Sequence, residues 1–189
     1  TTDNGSWSDL FAAPYSECPS IMMAISCLNP TNCFVPGGSS GSGFQLLKFD
    51  GQPGGTFTPM NMPNGPLMMM AIDVRGSATH PGGAAGGMGI GNGLQYIANS
   101  TTWLTSSVNA IMDVTQDIRA SQDGKRVLAV DAGGTAAVWY SKDGGKSFAT
   151  YNLNVPFVTS GTFLRYGAIP SPDIWYLTAG NWPSNADRK

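Results

Sequence analysis

The sequence predicts an all-β chain, folded as a segment of a β-propeller, and three observations carry that prediction. Aromatic residues close turn-rich segments at Trp7, Phe57, Trp103 and Phe148, at spacings of 50, 46 and 45 residues. One four-stranded propeller blade takes roughly 40–50 residues. The stretches between these aromatics repeat as well. Met22-Met23-Ala24-Ile25-Ser26-Cys27 aligns with Met69-Met70-Ala71-Ile72-Asp73-Val74 at a shift of 47, and Asp73-Val74-Arg75-Gly76-Ser77 aligns with Asp117-Ile118-Arg119-Ala120-Ser121 at a shift of 44. Finally, Gly 25 and Pro 13 with only 12% charged residues suit many short strands joined by tight turns, since glycine and proline supply the backbone angles that turns need.

Taken in order, the approximate repeats run 1–17, 18–64, 65–109, 110–154 and 155–189, all within one segment spanning 1–189. The aligned apolar runs are the expected innermost strands. Each precedes a turn (Asn29-Pro30-Thr31, Gln122-Asp123-Gly124, Pro170-Ser171-Pro172) and a second apolar strand ending in glycine. These second strands read Cys33 to Gly38, Val127 to Gly134 and Ile174 to Gly180; in the 65–109 repeat, Pro81 to Gly87 is too glycine-rich to read as a compact strand. The chain thus holds the outer end of one blade, three nearly whole blades and the start of a fifth, about four blades' worth. A propeller removes its sheet edges by closing into a ring, so the expectation is a larger ring of six to eight blades, completed by further sequence or by another chain.

The sharpest turn signal is Ser141-Lys142-Asp143-Gly144-Gly145-Lys146-Ser147-Phe148, set between strand-like runs. Asp-Gly-Gly at that place is a hairpin signal, because glycine allows positive φ and aspartate bonds the backbone of its own turn. Ser141, Asp143, Gly145, Ser147 and Phe148 make the pattern Ser-x-Asp-x-Gly-x-Ser-Phe. Degenerate copies stand at Thr1 to Trp7, at Asp50 to Phe57 (with Gln52 where the aspartate belongs) and at Tyr96 to Trp103, which keeps only the closing Thr-Trp.

This pattern resembles the Asp-box, or BNR repeat, of β-propellers. The arrangement of inner strand, short turn, Gly-ended strand and box is most similar to the photosystem II stability and assembly factor branch, and less so to the sialidase-like branch. The resemblance implies that the box residues are structural staples on outer hairpins. It also implies a non-catalytic scaffold, a subunit or assembly aid of a larger, photosynthetic membrane complex met from the thylakoid lumen. The alternative it implies is a fragment of an Asp-box glycoside hydrolase.

Candidate chemistry is sparse. Arg75, Arg119 and Arg165 fall at nearly equivalent places in successive repeats, and three guanidinium forks near a channel would suit an anion or an acidic partner. Against this, Asp73 and Asp117 sit two residues before Arg75 and Arg119, on the same strand face, which suits ion pairing instead. The sialidase Arg-Ile-Pro signature is absent, Arg165 being followed by Tyr166-Gly167-Ala168. Glycoside hydrolysis needs two carboxyl groups about 5–10 Å apart. The chain has one glutamate, Glu17, and no aspartate pair stands apart from the repeats, so no catalytic residue is assigned and the reading leans away from an enzyme.

No metal or cofactor site is expected either. His80 is the only histidine, and Met22/Met23, Met69/Met70 and Met112 recur in step with the repeat, as core residues do. Trp139 and Trp175 lie in predicted strands and read as buried; Trp182 remains a candidate partner contact. A net charge of −2 gives no footprint for nucleic acid, so the partners expected are proteins. No apolar run reaches the roughly 20 residues that span a bilayer.

Of three cysteines, Cys27 and Cys33 flank a turn and are disulfide candidates, with two buried thiols the competing reading; Cys18 is left over. Asn4-Gly5-Ser6 and Asn99-Ser100-Thr101 are N-glycosylation triplets. Together these favour an extracytoplasmic compartment, thylakoid lumen or secreted.

Overall fold

The computed structural model describes residues 21–39, 43–52, 55–62, 68–88, 93–109, 114–133, 137–154, 156 and 163–180. Trp7, Asn4, Glu17, Cys18, Met112 and Trp182 lie outside them. Every element is a strand: β1 (Ile21–Met22), β2 (Ser26–Asn29), β3 (Asn32–Ser39), β4 (Gly43–Phe49), β5 (Phe57–Met60), β6 (Met68–Gly76), β7 (Pro81–Met88), β8 (Gln95–Asn99), β9 (Thr102–Thr105), β10 (Ser107–Val108), β11 (Thr115–Ala120), β12 (Val127–Asp131), β13 (Ala137–Ser141), β14 (Ser147–Asn152), β15 (Phe163–Ser171) and β16 (Ile174–Gly180).

These strands form successive antiparallel blades. β1 and β2 both pair with β3 and together make one interrupted inner strand, followed by β4 and β5. β6-β7-β8-β9 is the second blade, β11-β12-β13-β14 the third, and β15-β16 the inner half of a fourth. Inner strands of neighbouring blades touch in sequence, β2 and β3 against β6, β6 and β7 against β11, β11 and β12 against β15. This all-β stack of four-stranded sheets is a β-propeller segment.

Three apolar cores lie between the blades. Phe34 and Leu46 meet Val74, Ile97 and Trp103 at the first interface. Ala71, Ala84 and Leu94 meet Ile118, Val127, Trp139 and Phe148 at the second. Leu128, Val130 and Tyr140 meet Leu164 and, half-buried, Trp175 at the third. Successive side chains of a strand point to opposite faces, so Val127 and Ala129 serve one interface while Leu128 and Val130 serve the next. That is why β12 is buried throughout. Full burial of a large side chain such as Trp103 or Trp139 contributes about 1.5–3 kcal/mol.

The glycine-rich stretch after Gly76 is a regular eight-residue strand, β7, rather than a loose segment. The glycines are there for close approach. A Cβ on Gly82 would stand 1.8 Å from the carbonyl oxygen of Gly124 in the next blade. Only bare backbone lets that turn lie against β7.

The linker from the second blade to the third doubles back along the third. β10 pairs in parallel with β14, Ser107 opposite Ser147 and Val108 opposite Phe148. It covers the outer edge of that sheet, which would otherwise present unpaired backbone groups.

Candidate functional site

Two sets of polar residues are built into the blades. The first is the hairpin between β13 and β14. Ser141 Oγ accepts the N–H of Gly145 at 2.8 Å and donates to Asp143 Oδ1 at 2.7 Å. Asp143 Oδ1 accepts the Ser147 N–H at 2.9 Å, and Ser147 Oγ donates to Asp143 Oδ2. Gly144 and Gly145 take φ of 76° and 94°, a left-handed conformation that glycine adopts without strain. Phe148 is buried in the second interface.

Burial pushes the Asp143 carboxyl up, but the bonds from Ser147 and Ser141 outweigh it and hold the group below its ordinary value. The same turn ties two blades together. Gly144 O accepts the Gly83 N–H at 3.1 Å, and Gly144 N–H donates to Lys125 O at 2.9 Å. Ser106 Oγ donates to Gly145 O at 2.7 Å. The side-chain oxygens of Ser141, Asp143 and Ser147 bond to groups of the turn itself.

The degenerate copies keep part of this wiring by other means. Asp50 stands at the serine position, and its carboxylate accepts N–H groups of Gln52 at 3.1 Å and Thr56 at 3.2 Å. Gln52 therefore does not leave the turn without a carboxylate. At the third copy Asn99 Oδ1 accepts both Thr101 N–H and Thr101 Oγ1–H at 2.9 Å.

The second set lies on the inner strands. Asp73, buried, accepts the Ala120 N–H at 2.9 Å through Oδ2 and bonds Ser26 Oγ at 3.2 Å and Arg75 Nε at 3.0 Å through Oδ1. Asp117, buried, accepts the Gly167 N–H at 2.8 Å and Arg119 Nε at 3.0 Å. Arg119 Nε also donates to Gly167 O at 3.1 Å. In the first blade Ser26 Oγ accepts the Val74 N–H at 2.9 Å. Each inner strand thus offers one side-chain acceptor to a backbone N–H of the following blade. Ser26 was not legible as a member of this series, although the shift of 47 that aligns it with Asp73 marks the place. Burial raises the Asp117 carboxyl above its ordinary value, against the opposing pull of the Gly167 N–H and Arg119.

Arg75, Arg119 and Arg165 stand on β6, β11 and β15, three consecutive inner strands. Arg75 and Arg119 are engaged by their own aspartates, with side chains 52% and 44% exposed. Arg165 is half-buried and lacks an aspartate two residues before it, Phe163 taking that place. Cys27 and Cys33 are disulfide-bonded across the β2–β3 hairpin, where they are cross-strand partners. Among the described residues no group of three or more His, Cys, Asp or Glu is placed to hold a metal ion, and no helix is long and apolar enough to cross a membrane.

On the outer rim, Lys48, Asp50, Thr58, Met60, Asn61 and Thr101 line an open groove of about 420 Å³ between the first and second blades. Its walls are the β4–β5 hairpin and the β8–β9 turn.

The architecture defines the class: a β-propeller segment. The GH74 enzyme of Niastella koreensis has a similar fold. The likeness has a TM-score of 0.55 at 15% sequence identity, and it covers 78% of this chain and 24% of that one. The chain therefore spans about a quarter of that protein's length. No family model and no curated protein matches the chain.

Proposed function

We propose that this segment is a binding scaffold, whose polar residues hold blades together and whose surface meets protein partners. One observation carries the reading: the buried inner-strand carboxylates, Asp73 and Asp117, are each bonded to a backbone N–H of the next blade and to a neighbouring arginine. A carboxylate so engaged is held in place by bonds to backbone and guanidinium, unlike a general acid or a nucleophile that must change its bonding during a reaction. The Ser141–Phe148 hydrogen-bond pattern supports the Asp-box reading, with the box as a staple. Its likeness to the photosystem assembly-factor branch makes a membrane pigment-protein complex, met from the lumen, the partner proposed. The Cys27–Cys33 disulfide supports an extracytoplasmic setting, since disulfides persist in oxidising compartments.

The fold likeness to a GH74 enzyme favours a second reading, a segment of a glycoside hydrolase whose acid and base lie elsewhere. The test is to assay the protein against a panel of chromogenic glycosides, and to isolate it by affinity tag from its source. Co-purification with a defined complex and no turnover fits the scaffold. Turnover abolished by replacing a single carboxylate without loss of stability contradicts it.

A further inference from the structure

The turn at the tip of the β8–β9 hairpin carries a group that neither the blade packing nor the inner-strand network uses. Asn99 and Thr101 are both exposed there. Thr101 turns its N–H and its hydroxyl onto Asn99 Oδ1, each at 2.9 Å. Asn99-Ser100-Thr101 is an N-glycosylation triplet, and the fold presents it on the outer rim, away from all three interblade cores.

A second turn in the molecule is an internal contrast. At the β2–β3 tip, Thr31 N–H and Oγ1–H donate to Asn29 Oδ1, each at 3.0 Å. The side-chain wiring is the same, but the middle residue is Pro30, which disqualifies the triplet. Among the described residues, Asn99 is therefore the asparagine that combines exposure, an engaged threonine and a permitted middle residue.

We infer that Asn99 is an N-glycan attachment site, an inference that rests on the extracytoplasmic placement in its secreted form rather than in the thylakoid lumen. The donor is a polyprenyl-diphosphate-linked oligosaccharide, used by a membrane oligosaccharyltransferase. Asn99 Nδ2 bonds to C1 of the reducing-end sugar. The C1–O bond to the diphosphate breaks, the polyprenyl diphosphate leaves with that electron pair, and one Nδ2 proton passes to a base of the transferase. Asn99 is two residues from Thr101, which lines the groove between the first two blades. A glycan there stands beside that groove and the outer strand β9, where it blunts a sheet edge against stray pairing. Protein partners then meet the segment elsewhere than on this rim.

The full chain, expressed behind a secretory signal in a eukaryotic cell, tests this. Glycopeptide mass spectrometry is applied to the membrane-enclosed fraction and to the medium, because transfer precedes export. The expected result is a glycan on the Asn99 peptide, removable by peptide N-glycosidase. Asn99→Gln and Thr101→Ala lose it, and Thr101→Ser keeps it. Site-resolved peptides separate Asn99 from Asn4. The Cys27–Cys33 bond is read on the same sample. An unmodified Asn99 in oxidised protein overturns the inference while leaving the compartment reading intact; reduced cysteines in that sample count against the compartment itself.

Discussion

The Oδ2 of Asp73 accepts the backbone N–H of Ala120 at 2.9 Å, so a side chain of one blade fixes the inner strand of the next. Asp117 does the same for Gly167, and Ser26 for Val74. Burial of the apolar blade faces is non-directional. These three bonds add directional links between blades at the inner rim.

Asp73→Ala is expected to destabilise the chain by about 1–3 kcal/mol. It strands the half-buried Ala120 N–H and removes the partner of the exposed Arg75. Asp73→Ser is expected to recover part of the loss, because a serine fills this role at the preceding interface. Urea denaturation of the three proteins, compared at constant m-value, checks the order.

Gly82→Ala is expected to cost about 1–3 kcal/mol or more, the range for forcing extra volume into a packed site. Its new methyl would meet the Gly124 carbonyl oxygen at 1.8 Å, which is backbone and cannot swing away. Gly86→Ala meets the Leu94 Cδ2 side-chain atom at 2.8 Å and is expected to be the milder change. Thermal unfolding of the pair reads the difference.

Much of this architecture was legible in the chain, and the reasons it was or was not are physical. The inner strands were visible because Met69 to Arg75 and Asp117 to Arg119 repeat hydrophobic and charged positions on alternate faces. β7 was not, because six residues such as Gly82 to Gly87 have little strand preference of their own; the strand exists because a neighbouring turn requires bare backbone there. Asp50 does not show in the pattern as the carboxylate of its turn, since it stands at the serine position, two residues early. The arginines were visible as a series, and so was their pairing with Asp73 and Asp117, two residues away on the same strand face; the bonds from those aspartates to the Ala120 and Gly167 N–H groups were not, because they depend on blade-to-blade geometry that no single strand encodes.

Ser141→Ala is expected to cost about 1–3 kcal/mol, since it leaves the buried Gly145 N–H without its acceptor. Phe148 should then loosen in the second core, and the change should appear in near-ultraviolet circular dichroism before any loss of strand content.

The two carboxylates with opposite shifts predict opposite pH responses. Asp143 is held below its ordinary value, so its contribution is fully present above an unfolded value of about 3.9 and is lost as pH falls through its lower folded value. Asp117 is raised. The folded state therefore binds its proton more tightly, and stability declines as pH rises from about 3.9 through the raised folded value, then stays level. Denaturation curves collected from pH 2 to 7 on Asp143→Asn and Asp117→Asn check this: the first should lose the acid-side slope, and the second should lose the decline above it.

Native-state hydrogen exchange at the Ala120 and Gly167 amides tests the central claim most directly, that the inner-strand carboxylates are structural links between blades. Both amides are expected to be protected in the wild type. Protection of Ala120 should fall at least tenfold in Asp73→Ala, and that of Gly167 equally in Asp117→Ala, each variant leaving the other amide closer to its wild-type rate. Unchanged protection at both sites in these variants, with stability intact, would contradict the account.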